Sequence, residues 1–133
     1  MTAKVLLVDD EPNLLSALRR SLRREPYEIL SAASGEEALS ILASTEVDVV
    51  VSDQNMPGMS GTELLTRIHE TYPETVRFML TGKATLEVAV EAINNGAISR
   101  FFTKPCNDVD LAITIRQALE HKRLTEKAWD LLK

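Results

Sequence analysis

Apolar residues gather into short runs that alternate with segments of helical spacing. The runs are Val5-Leu6-Leu7-Val8, Tyr27-Glu28-Ile29-Leu30, Val47 to Ser52, Val76 to Leu80 and Ile98 to Thr103. Short runs of this kind, bounded by turn residues, read as strands. The third is nearly all valine, as expected of a strand covered on both faces. Between the runs, apolar residues recur every three or four positions, the spacing of a helix with one buried stripe. Leu14, Leu15, Leu18 and Leu22 form the first stripe, and that helix opens near Pro12, which a first turn tolerates. Ala38, Leu39, Ile41 and Leu42 form the second, and Leu64, Leu65 and Ile68 the third. Leu86, Val88, Ala89, Val90 and Ile93 belong to the fourth, and Leu111, Ile115 and Leu119 to the fifth. Ser34-Gly35-Glu36-Glu37 and Ser60-Gly61-Thr62-Glu63 have the Ser-x-x-Glu form of a capping box, and Asn107 can cap the fifth helix. Pro26, Tyr72-Pro73 and Gly96 are stop signals.

Five strand–helix units predict a parallel sheet with helices on both faces. Right-handed crossovers leave few topologies, and the pattern predicts the doubly wound, flavodoxin-like α/β sandwich with strand order 2-1-3-4-5. In such a sheet ligands bind at the carboxyl edge, where the order reverses. Asp9 and Asp10 follow the first run, Asp53 the third, Thr81 the fourth and Lys104 the fifth. All five then share one crevice. Three carboxylates at short range repel each other unless a cation sits among them. Mg²⁺ wants such oxygen ligands. A hydroxyl and an ammonium alongside suit a phosphoryl group, whose transfer depends on positioning and charge.

The 133 residues fit one domain, and 44% hydrophobic content is ordinary for a globular chain. A net charge of -5 without basic runs argues against direct nucleic-acid binding by this domain. Arg19, Arg20, Arg23 and Arg24 lie mostly off the buried stripe and read as a solvated face. The single cysteine, Cys106, excludes an internal disulfide and reads as an inert small residue. No apolar stretch approaches a membrane span, and the N-terminus lacks a signal-peptide layout, so a cytoplasmic, non-membrane protein is expected. His69 and His121 are isolated and are expected to face solvent.

Four motifs in order carry a family resemblance: Val8-Asp9-Asp10-Glu11, Asp53 with Met56-Pro57-Gly58, Leu80-Thr81-Gly82, and Phe102-Thr103-Lys104-Pro105. Each is weak alone; together, at successive strand ends, the chain resembles response-regulator receiver domains of two-component signalling over about its first 120 residues. The resemblance implies that Asp53 accepts a phosphoryl group from a sensor histidine kinase or phosphotransfer protein. It implies Mg²⁺ at Asp9, Asp10 and Asp53, with the Asn55 backbone carbonyl as a further ligand. It implies a cis Lys104-Pro105 bond, and a switch through Thr81 and Phe101 that changes protein contacts. The chain would assist its own phosphotransfer and dephosphorylation without being an enzyme in the ordinary sense. Asn55 and Lys83, two residues beyond Asp53 and Thr81, either flank the path of water to the phosphoryl group or are solvated loop residues.

Three other readings compete. A Mg²⁺-dependent aspartyl phosphatase would want an acid two residues after its nucleophile, where this chain has Asn55. A flavin binder would want a phosphate loop where Asp9-Asp10-Glu11 stands. An unphosphorylated pseudo-receiver would not need the complete five-residue set. The receiver is assigned residues 1–121, and 122–133 a helical extension or linker. Leu124, Ala128, Trp129, Leu131 and Leu132 make that tail apolar. It can be a dimer helix, a link to a fused output domain, or a helix folded back on the sheet.

Overall fold

A computed structural model describes residues 2–132. The elements run β1 (Lys4–Val8), α1 (Pro12–Leu22), β2 (Glu28–Ala32), α2 (Gly35–Ser44), β3 (Val49–Asp53), α3 (Gly61–Thr71), β4 (Val76–Thr81), a 3₁₀ turn (Lys83–Thr85), α4 (Leu86–Asn94), β5 (Arg100–Thr103) and α5 (Asp108–Leu132). All pairings are parallel, in the order β2-β1-β3-β4-β5 that the alternation predicts.

Strand pleat divides the core in two. Leu6, Val8, Val50 and Met79 face one layer, with Ala38 and Leu42 of α2, Leu64, Leu65 and Ile68 of α3, and Ala89 and Ala92 of α4. Val5, Leu7, Val49, Val51, Phe78 and Leu80 face the other, with Leu18 and Leu22 of α1 and Leu111 and Ile115 of α5. Every residue of β3 is buried: Val49, Val50 and Val51 as their apolar run requires, and the polar Ser52 and Asp53 with them.

The structure corrects several local expectations. β2 begins after Tyr27 and extends through Ala32, because pairing with β1 sets its length: Ser31 lies opposite Leu7 and Ala32 opposite Val8. Tyr27 is buried just before the strand. β5 starts at Arg100, and Ile98 instead packs beneath α4. In α4 only Ala89 and Ala92 are buried, while Leu86, Val90 and Ile93 are exposed. The small alanines let that helix approach the sheet and leave its larger residues outside.

Both capping serines accept from the glutamate N–H three residues on. Neither glutamate closes the reciprocal bond. Glu37 accepts from Ala33 N, and Glu63 pairs with Arg67. Arg77 of β4 is buried and donates to four backbone carbonyls, Pro73, Thr75, Gly96 and Ala97, which ties the two loops below β4 together.

α5 runs unbroken past residue 121 as a 25-residue helix, about 37 Å at 1.5 Å per residue. Lys122 of α5 pairs with Asp48, just before β3, at 2.9 Å, and the other Asp48 oxygen accepts from Lys4 N at the start of β1. Beyond that bond, residues 123–132 are exposed, including Trp129 at 64% and Leu131 at 80%. The helix does not fold back on the sheet.

At the first position of α3, Gly61 donates its N–H to Gln54 O at 3.0 Å. A Cβ there would overlap the Asp53 carbonyl oxygen and stand 2.8 Å from Gln54 Cα. Those atoms are backbone and cannot swing aside. Gly61→Ala should therefore cost about 1–3 kcal/mol, the usual range for overpacking. Urea denaturation measures it, and a loss under 0.5 kcal/mol would show that the close approach is not required.

Candidate functional site

Strand register brings the polar strand ends together. Val8 pairs with Ser52, so Asp9 and Asp53 leave adjacent strands at the same level. Asp53 lies opposite Leu80, and Thr81 opposite Thr103. Backbone bonds carry the pairing past the strands: Asp9 N donates to Ala32 O, Gln54 N to Leu80 O, and Lys104 N to Thr81 O. The site is thus built on sheet hydrogen bonds, which makes it stiff.

Asp9 and Asp53 are buried and Asp10 is exposed. One carboxylate oxygen from each lies within 4.8 Å of the others. Lys104, after a cis bond to Pro105, places Nζ 2.8 Å from Asp53 Oδ1 and 3.6 Å from Asp9 Oδ2. Asp9 Oδ1 accepts from Glu11 N at 2.9 Å, which also fixes the start of α1. Asp9 Oδ2 is buried without a hydrogen-bond partner. An orphaned anionic oxygen facing two further carboxylates is the donor set a hard divalent cation fits.

Burial raises the Asp9 carboxyl above its ordinary value; the Glu11 N–H and Lys104 oppose this, and the Asp53 and Asp10 charges add to it. For Lys104, burial disfavours the ammonium. The Asp53 hydrogen bond and the charges of Asp53, Asp9 and Glu11 outweigh it, so its pKa is raised and it stays charged at neutral pH.

Thr81 is buried at the end of β4. Its hydroxyl lies 3.2 Å from Gly82 O and 2.5 Å from Thr85 Oγ1. Phe101 is half-buried and packs on the α2–α3–α4 side of the core, while its neighbour Phe102 faces the other side, edge-on to Phe78. Asn55 and Lys83 are exposed on the loops after β3 and β4. Cys106 packs beside α5, and burial, then Asp108 and Asp110, push its thiol up to about 11, so it remains protonated and unreactive. His69 is not solvent-facing as expected: it is half-buried, with Nδ1 enclosed and unpaired.

Two residues escaped the sequence reading. Gln54 is buried, and its Oε1 accepts from Thr62 N at 2.8 Å and Thr62 Oγ1 at 2.7 Å, joining the loop after Asp53 to the start of α3. Its only signal is a polar side chain directly after a buried strand. Thr85 bonds Thr81, and its signal is a threonine just ahead of a helix.

Comparison with known proteins agrees with this geometry. The family model of the response regulator receiver domain matches residues 5–116. The hydrogenase transcriptional regulatory protein HoxA of Cupriavidus necator is 38% identical over 92% of this chain and 25% of its own length. The transcriptional regulatory protein GlrR of Escherichia coli is 38% identical over 96% of this chain and 29% of its own. The crystal structure of the signal receiver domain of an HD domain-containing protein from Pseudomonas fluorescens Pf-5 has a TM-score of 0.87 at 42% identity, covering 92% of this chain and 98% of that one. The chain belongs to the response-regulator receiver family. Receiver domains are signalling domains phosphorylated by a kinase, and neither a phosphatase nor a flavin binder finds support among the matches. The chain spans about a quarter of the length of these two curated relatives. Among the described residues, no helix is long and apolar enough to cross a membrane.

The raised Asp9 pKa has a stability consequence. The folded chain holds that proton more tightly than the unfolded chain, so ionising Asp9 costs stability, which falls as pH rises through the unfolded and then the folded value. Asp9→Asn keeps the Oδ1 acceptor and removes the charge. In metal-free buffer at pH 7 it should raise unfolding stability by about 1 kcal/mol, a size common for functional-site replacements. Mg²⁺ should then stabilise the unmodified protein and not the variant. Equal Mg²⁺ response in both, or a destabilised variant, would contradict this reading.

Proposed function

We propose that Asp53 is the phosphoacceptor of this receiver, with Lys104 and Thr81 as the groups that meet the transferred phosphoryl oxygens. The observation that carries this reading is Asp53 Oδ1, buried and 2.8 Å from Lys104 Nζ, at the centre of the acidic cluster. An Asp53 carboxylate oxygen attacks the phosphorus of a phosphohistidine. The phosphorus–nitrogen bond breaks, the imidazole nitrogen leaves with the bonding pair and takes up a proton, and an acyl phosphate remains. Lys104 offers its ammonium to the phosphoryl oxygens, and its bond to Asp53 keeps it in position beforehand. Asp9, Asp10, Asp53 and the Asn55 carbonyl would hold Mg²⁺, which supplies further positive charge to the same oxygens. Thr81 donates its hydroxyl to the phosphoryl group, and Phe101 on the neighbouring strand repacks in response. Exposed Asn55 and Lys83 sit on the two loops through which water would reach the acyl phosphate, so slow self-dephosphorylation follows from the same site.

The partners follow from this chemistry. The donor is a sensor histidine kinase or phosphotransfer protein, met in the cytoplasm. Residues 1–121 are the receiver and 122–133 its extension, of which 122–132 continue α5 towards a fused output domain or a second copy. The relatives named as transcriptional regulators, matched over only a quarter of their length, support an attached output. Exposed Leu124, Trp129, Leu131 and Leu132 support self-association, because an isolated apolar helix gains little until covered.

Incubation with acetyl phosphate and Mg²⁺ should add one phosphate by intact mass. Asp53→Asn or EDTA should abolish the addition, and Lys104→Ala should slow it while leaving the fold intact. Undiminished labelling of Asp53→Asn would remove the assignment. Sedimentation of the full chain should show dimer formation, strengthened by beryllofluoride, whereas a chain ending at Lys122 should remain monomeric. Monomers in every case would leave α5 as a connector alone.

A further inference from the structure

Thr85 stands where a helix cap should be and does not cap. It is the residue before α4, with φ -117° and ψ 20°, and its side chain makes no bond to the first turn of that helix. Threonine in this position ordinarily accepts from the second or third helical N–H, here Glu87 or Val88. The 3₁₀ turn Lys83–Thr85 leads into α4, and Leu86 N–H already donates to Lys83 O. Instead the Thr85 hydroxyl turns back. It lies 2.5 Å from Thr81 Oγ1 and 3.4 Å from Gly82 O, while Thr81 Oγ1 lies 3.2 Å from the same carbonyl. Each hydroxyl has one proton. Either Thr81 donates to Thr85 and Thr85 to Gly82, or Thr85 donates to Thr81 and Thr81 to Gly82. In both arrangements the proton that Thr81 would offer to a phosphoryl oxygen is already in use.

We propose that Thr85 is a two-position residue that couples Thr81 to the start of α4. In the resting chain its hydroxyl holds Thr81 in the closed ring with Gly82. When Thr81 turns to a phosphoryl group on Asp53, the ring opens, and Thr85 swings its ψ from 20° towards the extended range seen at Ser34 and Ser60 and caps α4. One hydrogen bond replaces another, so the exchange is close to balanced and a modest pull on Thr81 moves it. The second position rests on the phosphoacceptor reading of Asp53, and the first is a property of the resting chain. Thr85 acts through Thr81 and is a positioning residue.

The test is amide–water exchange of Glu87 and Val88 by NMR on the full chain. Thr81→Ala removes the nearer resting partner, leaving only Gly82 O at 3.4 Å, and should slow exchange at one of these amides about three- to tenfold without any phosphoryl analogue, the change expected of a threonine cap. Thr81→Val, which keeps the branched shape in the buried site, should do the same. Adding Thr85→Val should restore fast exchange, and adding Thr85→Ser should keep it slow. Beryllofluoride with Mg²⁺ should reproduce the slowing in the unmodified protein. Unchanged exchange in both Thr81 variants, or slowing that survives Thr85→Val, overturns the proposal. So does beryllofluoride that perturbs the Asp53 amide and leaves Glu87 and Val88 unaffected. A complex that leaves the Asp53 amide unperturbed overturns the phosphoacceptor reading and the second position with it, while the Thr81 variants decide the first position on their own.

Discussion

Three carboxylates and one ammonium at a single sheet edge form the constraint on which the rest of the molecule turns. Asp9, Asp10 and Asp53 bring oxygens within 4.8 Å of each other, and Lys104 answers only one of their charges at hydrogen-bond distance. Like charges at that separation repel one another, most where both are buried, as Asp9 and Asp53 are. Such an arrangement persists only because the strands leave no alternative. β1 and β3 are neighbours at the point where the strand order reverses, so Asp9 and Asp53 must meet. A crevice lined by three such carboxylates has the donor set that a hard divalent cation fits.

Hydrogen bonds of the sheet carry this stress outward. Lys104 N on Thr81 O joins the cation's strand to the hydroxyl's strand, and Gly61 packs directly on the Asp53 carbonyl. Gln54 binds the same loop to α3. The β3 side of the site is therefore rigid. The β4 side is not tied in the same way. Thr81 is followed by one short 3₁₀ turn and by α4, which buries only two alanines. The side of the site that leads through Thr81 to α4 is thus the less tightly packed one.

Much of this was legible in the residues. The buried β3 announces itself as a run of valines, and four strand ends carry polar residues that nothing in a core would select. Helix capping was half legible: Ser34 and Ser60 are caps, yet their glutamates bond elsewhere, because local pattern cannot see Arg67 or the Ala33 N–H compete. Strand ends depend on partners. β2 reaches Ala32 because β1 pairs that far, whatever the apolarity of Tyr27. Arg77, Gln54 and Thr85 were illegible for the same reason. Each is polar and ordinary in sequence, and its role comes from carbonyls or hydroxyls that only the fold brings near.

The central claim is that the crowded carboxylate at position 53 is the one that becomes an acyl phosphate. Borohydride reduction after labelling with acetyl phosphate and Mg²⁺ tests it most directly, since it converts the phosphorylated aspartate into homoserine. Peptide mapping should find homoserine at position 53 and nowhere else. Homoserine at Asp9 or Asp10, or a labelled chain that yields none, would contradict the account.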